Sequence, residues 1–166
     1  MFNDDLDRVE WADFLCRRHP NRLKPEAYRV AGQSVLTTIC TRSKEATLLL
    51  DAVRPELVAA LPVSADIAGC ELIAWCLMPD HLHILLRVQQ YGGDILRFLH
   101  SYKTWTGRKM RLASLPRWER SFWDRHARSS DDIANLVSYV LNNPVRVGLC
   151  ETWQQWPHAY YRWAEA

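Results

Sequence analysis

Leu77-Met78-Pro79-Asp80-His81-Leu82-His83-Ile84-Leu85-Leu86-Arg87-Val88 reads as a tight turn over Met78-Pro79-Asp80 that feeds a strand. Side chains alternate across a strand, so His81 and His83 share one face. Leu82, Ile84 and Leu86 fall on the opposite, apolar face, and Leu85 continues the histidine face inward as packing. One face is core. The other begins with two imidazoles side by side, which is half of a metal site. The plain alternative is a pair of hydrogen-bonded structural histidines in a chain that has six, so the surrounding segments decide between them.

Immediately upstream, Glu71-Leu72-Ile73-Ala74-Trp75-Cys76-Leu77 is a second strand, joined to the histidine strand as a hairpin. Val35 to Thr41, rich in β-branched residues, is the first strand. Between the two, Ser43 is placed to cap a helix over residues 44–60 with Ala46, Leu49, Leu50, Val53, Leu57 and Ala60 as its apolar stripe. Pro55 should end or kink that helix near Arg54. Downstream, Gly92 and Gly93 break the chain before a helix over residues 94–111. There Ile95, Phe98, Leu99, Tyr102 and Trp105 recur at helical spacing toward the core, leaving Arg97, His100, Arg108 and Arg111 on the other side and Lys103 and Lys109 at the edges. Past Pro116, Phe122 to Arg128 reads as a fourth strand. Ser129 and Asp132 have capping-box spacing and open a third helix with Ile133, Leu136, Val137 and Val140 as its core stripe. Tyr139 and Asn143 lie one turn apart on a flank outside that stripe, and Pro144 makes Asn143 the last helical residue or close to it.

Strand, helix, strand, strand, helix, strand is the split βαβ, ferredoxin-like α+β arrangement. It predicts a four-stranded antiparallel sheet with helices on one face, plus an extra C-terminal helix that carries Tyr139. The first and third strands are central in that topology, which puts the histidines mid-sheet. The chain divides into an N-terminal extension (1–33), one domain (34–150) and an aromatic tail (151–166) that packs on it. Within the extension, Trp11, Phe14 and Leu15 suit a short amphipathic helix. The basic run 17–25 suits a solvated connection or an arm that touches phosphates.

With 166 residues, 48% hydrophobic and 24% charged, the composition is that of one soluble globular domain. No apolar run approaches the ~20 residues that span a bilayer, and the acidic start Met1-Phe2-Asn3-Asp4-Asp5 is no signal peptide, so a cytoplasmic location is expected. The cysteines Cys16, Cys40, Cys70, Cys76 and Cys150 are scattered and odd in number, which fits reduced, mostly buried thiols. Cys76 points inward on its strand and makes no zinc pair with His81. A net charge of +2 does not announce a nucleic-acid binder, so the placement of cations matters more than their sum. The strip on the second helix, the run Tyr102-Lys103-Thr104-Trp105, and Arg117, Arg120, Arg125 and Arg128 near the fourth strand are arranged to track phosphates and stack bases. The plain alternative is a solvated outer face.

Four segments in this order, LMPDHLHILLRV (77–88), LHSYKTWTGRKM (99–110), RSFWDRHARSSDDI (120–133) and VSYVLNNPVRVGL (137–149), with WPHAYYRW (156–163) at the end, resemble the single-tyrosine HUH transposases. Within that group they are most similar to the REP-associated tyrosine transposases of bacteria, over about residues 34–163. The resemblance implies that His81 and His83 bind a metal and that Tyr139 is the nucleophile. Asn143 takes the place of a third metal ligand, which relatives outside the subgroup supply as a glutamine four residues after the tyrosine. An amide oxygen suits Mg²⁺ or Mn²⁺, so the substitution keeps the donor type and shortens its reach. Asp80 stands where relatives also carry Asn, with no role beyond closing the turn. The implied activity is metal-dependent cleavage and rejoining of single-stranded DNA beside hairpin-forming repeats through a 5′-phosphotyrosine. No small-molecule cofactor is implied. Arg97, Lys103, Trp105, Arg108, Arg111, Arg125 and Arg128 are the candidate DNA-binding residues. A monomer is expected, a homodimer being the arrangement of relatives that exchange the tyrosine helix. Three rivals stand beside this reading: a ferredoxin-like module for single-stranded RNA, whose aromatic-rich signature the strands lack; a histidine-triad hydrolase, whose third alternate histidine would fall at Leu85; and an inactive, domesticated relative that only binds DNA.

Overall fold

A computed structural model of the chain describes residues 24–89 and 92–163. After a 3₁₀ turn (Pro25–Arg29) come β1 (Ser34–Cys40), α1 (Arg54–Ala68), β2 (Cys70–Leu77), β3 (His81–Val88), α2 (Ile95–Leu112), β4 (Trp123–His126), α3 (Ser130–Leu141), a short α4 (Asn143–Arg146) and β5 (Ala159–Tyr161). The sheet order is β4-β1-β3-β2-β5, and every pairing is antiparallel. The histidine strand is central, as its pattern predicted. Its hairpin closes with Leu77 opposite Leu82 and the Met78 N–H donating to the His81 carbonyl at 2.9 Å. The α+β, ferredoxin-like plan holds.

Alternation along β3 divides the interior in two. Leu82, Ile84 and Leu86 join Val35, Ile39, Phe98 and Tyr102 in the core between the sheet and α1/α2. Leu85 joins Leu36, Ile73, Leu136 and Val140 in a second core under α3. The extra helix therefore covers the face that α1 and α2 leave open.

Local chemistry moved several boundaries. The first helix starts at Arg54, not in the mid-forties, with Pro55 in its first turn. A proline there gives up an N–H that has no helical partner anyway, and its fixed φ starts the helix rather than kinking it. Residues 44–53 form turns that bury Leu48 and Val53 without a helix. The inward run of α2 is Ile95, Phe98, Leu99, Tyr102, Thr106, Gly107 and Met110, so Trp105, expected inside, is 53% exposed. Its place is filled from the following loop by Trp118, whose indole N–H donates to Thr106 Oγ1 at 2.8 Å. β4 is shorter than expected. Gly69 ends α1 at φ 63° and abuts Gly93: a Cβ on Gly93 would lie 2.2 Å from the Gly69 carbonyl oxygen. The double-glycine break is thus a backbone contact as well as a punctuation mark.

The expected count of four strands becomes five. Tail residues Ala159–Tyr161 pair with Ala74–Cys76 on the outer side of β2, and Trp75 stacks on Tyr160 with ring centroids 6.2 Å apart. The tail covers an edge that would otherwise offer unpaired backbone. At the opposite end of the chain, Tyr28 is buried and donates to Asp124 Oδ2 at 2.7 Å. The helix expected around Trp11, Phe14 and Leu15, and most of the basic run after it, lie outside the described residues. No described helix is long and apolar enough to cross a membrane.

Candidate active site

Register places the polar residues of three strands on the α3 side of the sheet. His83 faces Thr38 of β1 and Cys76 of β2, and His81 faces Cys40. The Nε2 atoms of His81 and His83 lie 3.1 Å apart, with their rings edge to face and centroids 4.7 Å apart. Each imidazole is held from behind. The Asp80 carboxylate accepts from His81 Nδ1–H at 2.6 Å, so in neutral His81 the Nε2 lone pair points toward His83. Thr38 Oγ1 sits 2.8 Å from His83 Nδ1. A hydroxyl can donate or accept, so Thr38 serves His83 whether its Nε2 carries a proton or a free lone pair. Asp80, expected only to close the turn, also aims a histidine.

α3 brings the tyrosine. Ser129 caps it, its Oγ accepting from the Asp132 N–H at 3.2 Å. Leu136, Val137 and Val140 are buried against the sheet, which leaves Tyr139 on the flank facing His83, ring centroids 5.5 Å apart. The helix ends at Leu141, two residues before the expected Asn143, because Pro144 has no N–H to offer the Val140 carbonyl. The chain then makes a fresh turn, α4, with Pro144 at its start and Asn143 buried at its head. The Asn143 amide interacts with both His83 and Tyr139, favouring the charged form of each. Two histidines, a phenol and an amide, drawn from positions 81 to 143 of the sequence, thus form one cluster.

The cluster is dry. Burial, then the charge of His81, with Arg146 adding to it, holds His83 well below the usual imidazole range, against the hydrogen bond of Asn143. Burial likewise pushes the Tyr139 phenol up, opposed by Arg146, Asn143 and Arg125. Burial also works to raise Asp80, but the hydrogen bond and charge of His81, with Lys44 beyond, leave it below the ordinary carboxylate value. Cys76 lies under His83 with its thiol pushed up to about 12, chiefly by burial. Its Sγ lies 3.8 Å from Met78 Sδ. Among the described residues no three His, Cys, Asp or Glu side chains gather into a metal set. Two imidazole nitrogens with an amide oxygen nevertheless make an N/O donor set that a divalent cation accepts.

The candidate DNA-binding residues do not form one surface. Arg125 of β4 pairs with Leu36 and so shares the tyrosine face, where its charge reaches Tyr139. Lys103, Arg108 and Arg111 lie on the other side of the sheet, in a cleft of about 750 Å³ that also takes in Arg42, Arg117 and Arg120. Lys103 is tethered there, donating to the carbonyls of Arg120 and Ser121 at 3.2 Å. Trp105 lines a separate apolar groove with Val63 and Ile67, and Arg108 forms part of both walls. Arg97 stays at the start of α2, its guanidinium 3.4 Å from the Gly92 carbonyl, and Arg128 is exposed just ahead of α3.

A family model described as "Transposase IS200 like" matches residues 33–140, from the strand entry to one residue past the tyrosine and covering more than half of the chain. The chain belongs to the IS200-like transposase family. As a member it is an enzyme of DNA strand cleavage and transfer. It is 24% identical over 136 residues to a protein of Haemophilus influenzae assigned as a REP-associated tyrosine transposase, covering 75% of this chain and 77% of that one. Against the REP-associated tyrosine transposase of Escherichia coli K12 it is 23% identical over 134 residues, 81% of this chain and 79% of the other. The fold matches a REP-associated tyrosine transposase solved bound to a REP hairpin, with TM-score 0.70 at 22% identity over 86% and 82% of the two chains. A transposase assignment from Deinococcus radiodurans gives TM-score 0.50 at 23% identity over 75% and 97%. Asn143 and the turn after it fall beyond the matched family region. Thr38 carries no sequence signal except its position opposite His83, readable only once the register is known.

Proposed function

We propose that this IS200-like transposase cuts and rejoins single-stranded DNA beside hairpin-forming repeats, acting as a cytoplasmic monomer through a covalent bond to Tyr139. The observation that carries it is the meeting of buried His81, His83 and Asn143 with the half-buried Tyr139 in one cluster. His81, His83 and Asn143 would hold a divalent cation, Mg²⁺ or Mn²⁺, and no other cofactor is called for. When bound, that cation supplies positive charge against the scissile phosphate, offsetting the charge that develops on its oxygens.

The remaining work falls to the chain itself. Asp80 and Thr38 fix the two imidazoles, and Asn143 links the ligand side of the cluster to the phenol. The Tyr139 oxygen attacks phosphorus in line, its proton passing to water. One O–P bond forms, the bond to the 3′ oxygen breaks with that oxygen taking a proton from water, and the products are a 5′-phosphotyrosine and a free 3′-hydroxyl. The ester conserves the phosphodiester's energy, so a 3′-hydroxyl entering the site reverses the step and joins strands without ATP. The cations provide two tracks for phosphates, Arg125 and Arg128 on the tyrosine face and the Lys103/Arg108/Arg111 cleft with Trp105 beside it on the other.

The test is an end-labelled single-stranded DNA with a short hairpin and randomised flanks, incubated with Mg²⁺ or Mn²⁺ and run on a denaturing gel. A metal-dependent covalent adduct that is absent from Tyr139→Phe is expected. Binding without any adduct in the wild type would sink the enzyme mechanism in favour of a DNA-binding relative. Sedimentation of the DNA-bound protein as a dimer would replace the monomer.

A further inference from the structure

The guanidinium carbon of Arg146 stands 5.3 Å from the centre of the Tyr139 ring. That proximity does not follow from sequence spacing. Residues seven apart on a continuous helix are separated by about 10.5 Å along its axis. Here the helix stops at Leu141 and restarts as Asn143–Arg146. The join is tight: the Asn142 amide nitrogen donates to the Ser138 carbonyl at 3.0 Å, and the Arg146 N–H donates to the Asn142 carbonyl at 3.0 Å. Helical side chains lean toward the N-terminus, so Arg146 reaches back over the tyrosine. Gly148, at φ 74°, then turns the chain away, and the Leu149 N–H closes the turn on the Pro144 carbonyl at 2.8 Å.

We propose that Arg146 is a positioning residue for the strand-cutting step: its cation, laid over the ring face, holds the Tyr139 phenol toward His83 and Asn143. This rests on Tyr139 being the nucleophile. The ring of tyrosine carries its negative potential on its faces, and a guanidinium within about 6 Å of the centroid is drawn to it. The same contact strengthens as the phenol gives up its proton and negative charge spreads into the ring, so it favours the activated nucleophile over the resting phenol. Arginine suits the post because it stays charged at every working pH and stacks flat on a ring. Arg146 is exposed to solvent, so packing is not its principal task.

Arg146→Met keeps the stem and removes the cation, and Arg146→Lys restores a cation without the planar fork. Single-turnover adduct formation at saturating labelled hairpin DNA with Mn²⁺, together with DNA affinity and thermal melting, separates the roles. The expected result is a rate about tenfold lower in Arg146→Met, with the Lys variant within about threefold of wild type, in line with a partly exposed cation–ring contact. DNA affinity and melting temperature should hold in both. An unchanged rate in Arg146→Met, a loss confined to DNA affinity, or a Lys variant as slow as Met would overturn the proposal. Tyr139→Phe run alongside keeps the two readings apart. An adduct that depends on Tyr139 but not on Arg146 defeats this inference alone, and a wild type that forms no adduct defeats both.

Discussion

The two faces of the sheet solve the problem of burial in opposite ways. Under α1 and α2 the interior is chiefly hydrocarbon closed by aromatic rings, Phe98 stacked on Tyr102 at 5.7 Å, and its two buried phenols are each satisfied, Tyr102 donating to the Leu57 carbonyl at 3.0 Å and Tyr28 to Asp124 Oδ2 at 2.7 Å. Under α3 the same strands bury Thr38, His81, His83 and Asn143, polar groups that find most of their partners in one another. The first face contributes stability by removing apolar area from water. The second tolerates desolvation because its donors and acceptors are matched, which is also what keeps them aimed. β3 serves both, with alternate side chains assigned to each.

The largest expected effect tests that division directly. Phe98→Ala should cost about 3–5 kcal/mol of stability, read as a lower denaturation midpoint, while the adduct yield per folded molecule stays at the wild-type level. His83→Ala should do the reverse, abolishing the adduct at every metal concentration with a much smaller shift in the midpoint. A Phe98 variant that stays stable, or a His83 variant that keeps its activity, would break the comparison.

A second effect sharpens it within the polar face. Asp80→Asn keeps the turn but removes the charged acceptor 2.6 Å from His81 Nδ1. Outer partners of a ligating histidine typically matter 10–100-fold in metal affinity or activity, so the Mn²⁺ concentration for half-maximal adduct formation should rise by about that factor. Thr38→Val, which removes the hydroxyl behind His83, should act in the same direction. Excess metal should recover most of the rate in both, because the ligands themselves remain.

How much of this was legible depended on whether the signal was local. The His81/His83 face, its hairpin and the apolar alternation of Leu82, Ile84 and Leu86 follow from a period of two, and they were readable. So was the α3 stripe and the capping by Ser129. Pro55 and Pro144 carried the right warning, but each starts a helix rather than merely ending one, because a first turn needs neither the missing N–H nor a free φ. Trp105 looked like core by spacing alone. Its exclusion comes from Trp118, a loop residue whose arrival no helical periodicity encodes. The partners of the site, Thr38 and Arg146, were invisible for the same reason: one needs the strand register and the other the restart after Asn142.

The smallest effect compares the helix caps of the two faces. Asp94 caps α2, accepting from the Leu96 N–H at 2.8 Å and the Arg97 N–H at 3.3 Å, and its second oxygen meets Arg29 Nε at 2.8 Å. Ser129 caps α3 with one bond. Replacing either by Ala should cost about 1 kcal/mol, which for a chain of this size is a melting shift of about 2–4 °C. The exposed ion pair to Arg29 adds little, since such pairs contribute about 0–1 kcal/mol. The thermal losses should therefore be nearly equal. The consequences for strand cutting should not be. A frayed first turn of α2 lies on the face of the sheet opposite Tyr139, so Asp94→Ala should leave the adduct rate at saturating DNA alone. A frayed α3 loosens the element that holds Tyr139 against His83, so Ser129→Ala should slow the adduct step at unchanged DNA affinity. Equal rates in the two variants at matched stability would mean that Tyr139 is held from its C-terminal side alone, by Asn143 and Arg146.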